Sequence, residues 1–377
     1  MRNETAALPG LYIHIPFCLS KCPYCDFYSV ERTGRIPAFL DALRREIALC
    51  RDALEPFDSV YIGGGTPSVL SPADLEALVD RLRRGFTVTP DAEITLEANP
   101  SDISPRLLEP LRRAGVNRLN IGVQSLEDRL LAFLGRRHDR ARAVAAFSAA
   151  RAAGFERVGI DLLFGIPGQT LPSWLASLRE AVDLNPDHLS CYQLTIEAGT
   201  PLGERHRAGE FRSLDESLQA DFFLETAATL EAAGYIHYEV SNFARDRCES
   251  RHNAKYWNHT PYLGLGPAAH SFRGTERRWN HRCLESYIGD LEGGRPPVAG
   301  RERLSGAQLR LESLLFGFRT SRGIDLDLFN RRHGGDLYAE KRGLLDELAG
   351  EGLVEIGDGF LRPTRSGMAV ADRLALI

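Results

Sequence analysis

Cys18, Cys22 and Cys25 fall in the run His14-Ile15-Pro16-Phe17-Cys18-Leu19-Ser20-Lys21-Cys22-Pro23-Tyr24-Cys25, a Cys-x-x-x-Cys-x-x-Cys spacing that lets three thiolates share one metal centre. A structural zinc ion takes four ligands and closes its own coordination. A cubane iron–sulfur cluster held by three cysteines keeps one iron without a protein ligand, where an exogenous molecule can bind and accept an electron. The triplet therefore points to a cluster with an open iron. A zinc knuckle completed by His14 or a distant cysteine, and a redox dithiol, are the other readings of these residues.

The other four cysteines, Cys50, Cys191, Cys248 and Cys283, are scattered and read as ordinary buried thiols. An odd total of seven, with no basic-then-apolar signal pattern in Met1 to Gly10, argues against a disulfide framework and predicts the reducing cytoplasm. No apolar run is long enough to cross a bilayer, so membrane contact is expected to be peripheral at most. The 377 residues, 43% of them hydrophobic, suffice for a large core and two domains. A formal charge of -5 gives no reason to expect nucleic acid as a partner. Lysine occurs only at 21, 255 and 341, which removes a Walker A phosphate site and leaves few candidates for Schiff-base chemistry.

Elements that would position the cysteines alternate along the first half. Short apolar runs at Leu11–Ile15, Ser59–Ile62, Glu93–Glu97, Arg118–Val123, Val158–Leu163 and His188–Leu194 are separated by helical patterns near Ile36–Ala53, Pro72–Arg84, Pro105–Ala114, Ala141–Ala153 and Leu171–Leu184. Strands alternating with helices predict right-handed crossovers and a parallel sheet. About six such units fall short of the eight that close a TIM barrel, so the expected fold is α/β, a partial TIM-like βα barrel, with a doubly wound sheet as the alternative. Both place chemistry at the C-terminal ends of strands, where the cysteine loop follows the first strand.

The other strand ends carry polar and glycine residues: Gly63-Gly64-Gly65-Thr66-Pro67-Ser68, Glu97-Ala98-Asn99-Pro100, Gln124-Ser125, and Asp161 followed by Gly165-Ile166-Pro167-Gly168. Glycines let a ligand approach backbone N–H groups closely, although such turns also serve packing alone.

Beyond residue 205 the alternation fades. A helix is expected over Leu214–Ala233 and a strand at Tyr238–Phe243, followed by Arg251-His252-Asn253-Ala254-Lys255-Tyr256-Trp257-Asn258-His259. Gly264-Leu265-Gly266-Pro267-Ala268-Ala269 matches the dinucleotide fingerprint formally, but it lies far from any first βα turn and is discounted. Gly293-Gly294-Arg295-Pro296-Pro297 reads as a linker. The expected organisation is a barrel over 1–243, a connecting segment over 244–300, and a small winged-helix-like domain over 301–377 with mixed charge, suited to packing or partner contact.

Tyr12 to Cys18 with Cys22 and Cys25, Gly63 to Pro67, Asn120 to Gln124 and Asp161 to Thr170 together resemble the radical S-adenosylmethionine (SAM) proteins related to oxygen-independent coproporphyrinogen III oxidase. Within that group the chain is most similar to the HemW-type haem chaperones, over nearly its whole length. The resemblance implies a 4Fe-4S cluster on Cys18, Cys22 and Cys25, with the amine and carboxylate of SAM on the open iron. It also implies cofactor contacts from Tyr12, Tyr24, Gly64, Gly65, Thr66, Glu97, Gln124, Arg136 and Asp161. It suggests a homodimer. On physical grounds a sulfonium ligand with an amino-acid head and an adenosine tail needs backbone polar groups, carboxylates and an apolar wall. Glu97 and Asp161 supply carboxylates, unless they are strand-end acids bonded to Arg118 or Arg136.

Two functions compete. One is an enzyme whose 5′-deoxyadenosyl radical removes hydrogen from a porphyrinogen propionate, and the other is a protein that binds haem and delivers it to acceptors such as respiratory haemoproteins. The oxidases carry a further cysteine two residues past the triplet, where this chain has Phe27, and a longer stretch before it. His252-Asn253-Ala254-Lys255-Tyr256-Trp257 matches the His-Asn-x-x-Tyr-Trp motif of the chaperones. An imidazole is a good haem-iron ligand, Tyr256 and Trp257 can cover a flat macrocycle, and Arg251 or Lys255 can meet propionates. In the competing reading His252 caps a helix and the aromatics fill the gap to the C-terminal region. The residues favour the chaperone, with haem, the cluster and SAM as cofactors. His14 is expected to be a packed residue rather than a ligand.

Overall fold

The computed structural model describes residues 7–377 except 52, 54 and 55. Six strands, β1 (Gly10–Ile15), β2 (Phe57–Gly64), β3 (Val88–Ala98), β4 (Arg118–Gln124), β5 (Arg157–Phe164) and β6 (His188–Gln193), pair in chain order and all parallel. Helices Ile36–Leu49, Pro72–Gly85, Pro105–Ala114, Arg140–Ala152 and Leu171–Asp183 cross between them. The first of these stops short of the expected Ala53, and residue 52 of that stretch lies outside the described residues.

The sheet continues past both ends of this block. Next to β6 lies β8 (Asn242–Ala244), antiparallel to it, and next to β8 lies β7 (Ile236–Glu239), antiparallel to β8. Next to β1 lies β9 (Tyr262–Leu265), parallel to it, followed by β10 (His270–Arg273), β11 (Glu276–Asn280) and β12 (Val298–Arg303). Among the described residues the twelve-stranded sheet is therefore open, with β12 and β7 at its edges. Residues 244–300, expected as a connection, instead supply β9 to β11 and the start of β12, so β9 is a seventh parallel strand added out of chain order.

The period of two along the strands explains the two faces. Leu11, Ile13, Ile15, Ile62, Leu96, Leu119, Ile121, Ile160, Leu162 and Leu189 are buried in one continuous core under the helices. The alternate positions are polar: Tyr12 contacts His14 along β1, while Tyr61 bonds Glu97 and Asn120 bonds Asp161 across neighbouring strands, and these last four line the cavity described below. At the C-terminal end, β13 (Ile324–Asp325), β14 (Val354–Gly357) and β15 (Phe360–Pro363) form an antiparallel sheet in the order β13-β15-β14. With helices Gly306–Phe318, Leu326–His333 and Leu337–Gly350 it makes a winged-helix-like unit around Leu314, Phe318, Leu337, Leu345 and Leu361.

Candidate cofactor site at the strand ends

A cavity of about 600 Å³ opens at the C-terminal ends of the parallel strands. Cys18, Cys22, Cys25, Tyr24, Gly64, Gly65, Thr66, Glu97, Gln124, Arg136 and Asp161 all line it. Tyr12 does not appear among the lining residues. It sits deeper on β1, half-buried, with its hydroxyl 3.0 Å from His14 Nδ1.

The cysteine loop is fixed by main-chain bonds on both sides. Cys18 N donates to Val30 O at 3.1 Å and Cys25 N to Cys22 O at 3.1 Å. The glycine loop is tied to β1 through Gly65 N to Ile15 O and Thr66 N to Phe17 O, both 2.8 Å. Those bonds bring Thr66 Oγ1 to 3.3 Å from Cys18 Sγ. A Cβ on Gly65 would lie 2.7 Å from Phe17 O, so only glycine fits against the cysteine loop. Cys18 is buried, Cys22 and Cys25 are half-buried, and burial raises the Cys25 thiol above its usual value.

The polar wall is built from neighbouring strands. Glu97 accepts from Tyr61 OH at 2.7 Å and from Gly64 N at 3.1 Å, and burial pushes its carboxyl up to about 7. Asp161 Oδ2 accepts from Asn120 Nδ2 at 2.7 Å, its buried Oδ1 has no partner, and burial raises this carboxyl above its usual value too. Neither acid bonds an arginine. Arg118 instead pairs with Glu93 at 3.2 Å, and Arg136 bonds Gly122 O and the cysteine loop. Gln124 adopts φ 68 where the β4–β5 register slips, which ends the strand and leaves the residue on the cavity wall. Asn120, Tyr61, Tyr192 and Arg137 also line the cavity and were missed from the sequence. The polar member of each alternating strand was the signal that would have found Asn120 and Tyr61.

His252, Tyr256 and Trp257 do not line this cavity; His252 and Tyr256 contact each other, and Trp257 packs elsewhere. Helix Arg251–Tyr256 lies at the opposite, N-terminal ends of the strands, where Ser250, not His252, caps it. Glu93 Oε1 accepts from Arg251 N at 2.9 Å. His252 is 1% exposed, with Nδ1 3.2 Å from Ser59 Oγ and Nε2 2.9 Å from Tyr256 OH. Both ring nitrogens are thus engaged within the protein. Trp257 packs on Phe316 of helix Gly306–Phe318, at a ring-centroid distance of 5.9 Å, and so does bridge to the C-terminal unit. Other expectations also change or hold. Cys283 is exposed rather than buried, His14 is a packed residue, and Gly264 lies within β9 rather than in a phosphate loop.

The residues present suit a sulfur-ligated cluster and a cationic cofactor. Three thiols share one rim, a guanidinium donates to one of them, the glycine loop leaves no room for side chains, and Asp161 Oδ1 is buried and unpartnered. Fold and site define a radical SAM protein: the Radical SAM superfamily model matches residues 12–181 and the HemN C-terminal domain model matches 304–370. Membership of that superfamily implies a 4Fe-4S cluster and SAM. The chain is 38% identical over 369 residues to heme chaperone HemW of Mycobacterium tuberculosis, covering 96% of this chain and 93% of that protein. It is 34% identical to heme chaperone HemW of Bacillus subtilis, with 97% and 98% covered. Coproporphyrinogen III oxidase (HemN) from Escherichia coli, described as a radical SAM enzyme, superposes with a TM-score of 0.85 at 26% identity, over 98% of this chain and 90% of that one. The chain belongs to the HemW family.

Proposed function

We propose that this protein is a haem chaperone that holds a 4Fe-4S cluster on Cys18, Cys22 and Cys25, binds SAM beside it, and passes haem to acceptor haemoproteins in the cytoplasm. The observation that carries this reading is whole-length similarity to proteins named heme chaperone HemW, in a chain with Phe27 at the position of the oxidases' further cysteine. In this reading Gly64, Gly65 and Thr66 present main-chain polar groups to the amino-acid head. Glu97 and Asp161 face its cationic centres, while Gln124, Arg136 and the Tyr24 ring complete the wall. Tyr12 acts from behind, through His14. The cluster would supply the open iron. Haem is cargo in this proposal, and contact with the iron by His252 would require helix Arg251–Tyr256 to leave the strand ends.

The second reading is oxidative decarboxylation of coproporphyrinogen III, and the likeness to HemN is the observation that favours it. Anaerobic reconstitution with iron and sulfide, followed by separate additions of haem and of coproporphyrinogen III with SAM and reductant, distinguishes the two. Stable haem binding without porphyrinogen turnover is expected. Formation of protoporphyrinogen IX without stable haem binding would reverse the assignment.

A further inference from the structure

The His-Asn-x-x-Tyr-Trp segment closes one end of the barrel while the cysteines stand at the other, yet the side chains between them form two continuous routes. His252 lies with its ring centroid 5.3 Å from that of Tyr61 and 6.3 Å from that of Tyr12. From Tyr61 the first route runs through its 2.7 Å hydrogen bond to Glu97, whose other oxygen accepts from Gly64 N at 3.1 Å. From Tyr12 the second runs through the 3.0 Å contact with His14 Nδ1. The His14 ring lies under Gly64, where an added Cβ would come within 2.5 Å of it. Gly64 is thus gripped at its N–H by one route and at its Cα by the other.

The ends of both routes are anchored. His14 Nε2 is 2.9 Å from Tyr28 O, in the segment that follows the cysteine loop. His252 is fixed by Ser59 on β2 and by Tyr256, and its helix is held by Glu93 on β3. Ser59 and Tyr61 lie on the same face of β2, two residues apart, so displacing His252 removes support directly beneath Tyr61. Packed side chains transmit such shifts because the interior has little free volume.

We infer that His252 and Tyr256 are positioning residues for the SAM-binding glycine loop, acting through Tyr61–Glu97 and Tyr12–His14 on Gly64. This rests on the proposed placement of SAM at Gly64 and Gly65, and it assigns the motif a role besides haem contact. Residues in contact or in one hydrogen-bond network couple non-additively, whereas independent sites add. Loss of the His252 ring should therefore weaken SAM binding, and weaken it less once Tyr61 has already lost its bond to Glu97.

The test is SAM affinity, measured on reconstituted full-length protein by the cofactor-induced change in the electron paramagnetic resonance of the reduced cluster, for wild type, His252→Ala, Tyr61→Phe and the double variant. Iron content and thermal unfolding serve as controls for loading and folding. His252→Ala should lower affinity about tenfold, and the double variant should lose less than the product of the two single effects. Tyr256→Phe removes only the hydroxyl at His252 Nε2 and should weaken SAM binding by a smaller factor, which keeps the test open if His252→Ala does not fold. If wild type binds no SAM, the placement of SAM fails rather than the coupling. If wild type binds it and all variants bind equally, or the two losses multiply independently, the inference is overturned. Loss of haem binding in His252→Ala with SAM affinity intact would overturn it too, in favour of a haem ligand.

Discussion

Arg136 Nη1 lies 3.3 Å from Cys22 Sγ while Nη2 of the same guanidinium donates to Gly122 O at 2.7 Å, so one side chain ties the cysteine loop to the end of β4 across the cavity. Hydrogen bonds to sulfur ligands are among the levers that set a cluster's potential. Arg136→Gln removes a cationic donor and should make the reconstituted cluster harder to reduce, with iron content unchanged and Arg136→Lys intermediate. A redox titration of the three proteins checks this, and identical midpoints would show that the contact does not persist in loaded protein.

Cys22 and Cys25 are only half-buried, so their loss should cost binding rather than folding. Cys22→Ala should abolish the broad iron–sulfur absorbance of reconstituted protein while urea unfolding of the unloaded protein shifts by no more than about 0.5 kcal/mol. Full iron and sulfide in the triple Cys18, Cys22 and Cys25→Ala variant would refute the ligand assignment.

Gly64 has φ +107, and a Cβ there would strike the His14 ring. Gly64→Val should therefore destabilise the fold by about 1–3 kcal/mol and abolish SAM binding. Gly34, with open space around its Cβ position, serves as the control, because Gly34→Ala should change neither. Equilibrium unfolding and SAM titration of both variants test the pair.

Glu46 is 2% exposed and accepts from Gly266 N at 2.8 Å, Asn280 Nδ2 at 2.6 Å and Tyr287 OH at 2.6 Å, and burial pushes its carboxyl up to about 7. Its folded value lies above the unfolded one, near 4.3. Between those values the native state holds a proton that the unfolded state has released, so this contribution is full below about pH 4 and lost as pH rises to about 7. Glu97 and Glu239, also raised to about 7 by burial, act with the same sign. Urea unfolding at pH 5 and pH 7.5 should show a smaller fall in stability with pH for Glu46→Gln than for wild type. An equal fall would remove Glu46 from the account.

Much of this was legible because the relevant information is local. The alternation of Ile, Val and Leu runs with helical patterns marked all six consecutive parallel strands, since each strand must bury one face under the helix that follows it. The cysteine spacing, the Gly63-Gly64-Gly65 turn and the polar residues ending β3, β4 and β5 were visible in the same way, and Cys18, Cys22, Cys25, Gly64, Gly65, Glu97, Gln124 and Asp161 from these motifs share one cavity wall. A parallel sheet delivers all of its strand ends to one rim, so local motifs become neighbours without further information.

Sequence by itself determined the chain of βα units, the three thiols and the family resemblance. Tertiary structure decided what depended on pairing between distant segments. β9 joins β1 across some 250 residues, which no local pattern can encode, and this turns an expected connection into part of the sheet. The same long-range closure carries His252 to Ser59 near the N-terminal end of β2 and against the Tyr61 ring, where its own ring is buried and bonded at both nitrogens. A histidine between aromatics reads identically in one dimension whether it faces a ligand or its own strands. Only the packing of helix Arg251–Tyr256 against β1 and β2 distinguishes the two, because burial and hydrogen-bond satisfaction are properties of the assembled fold.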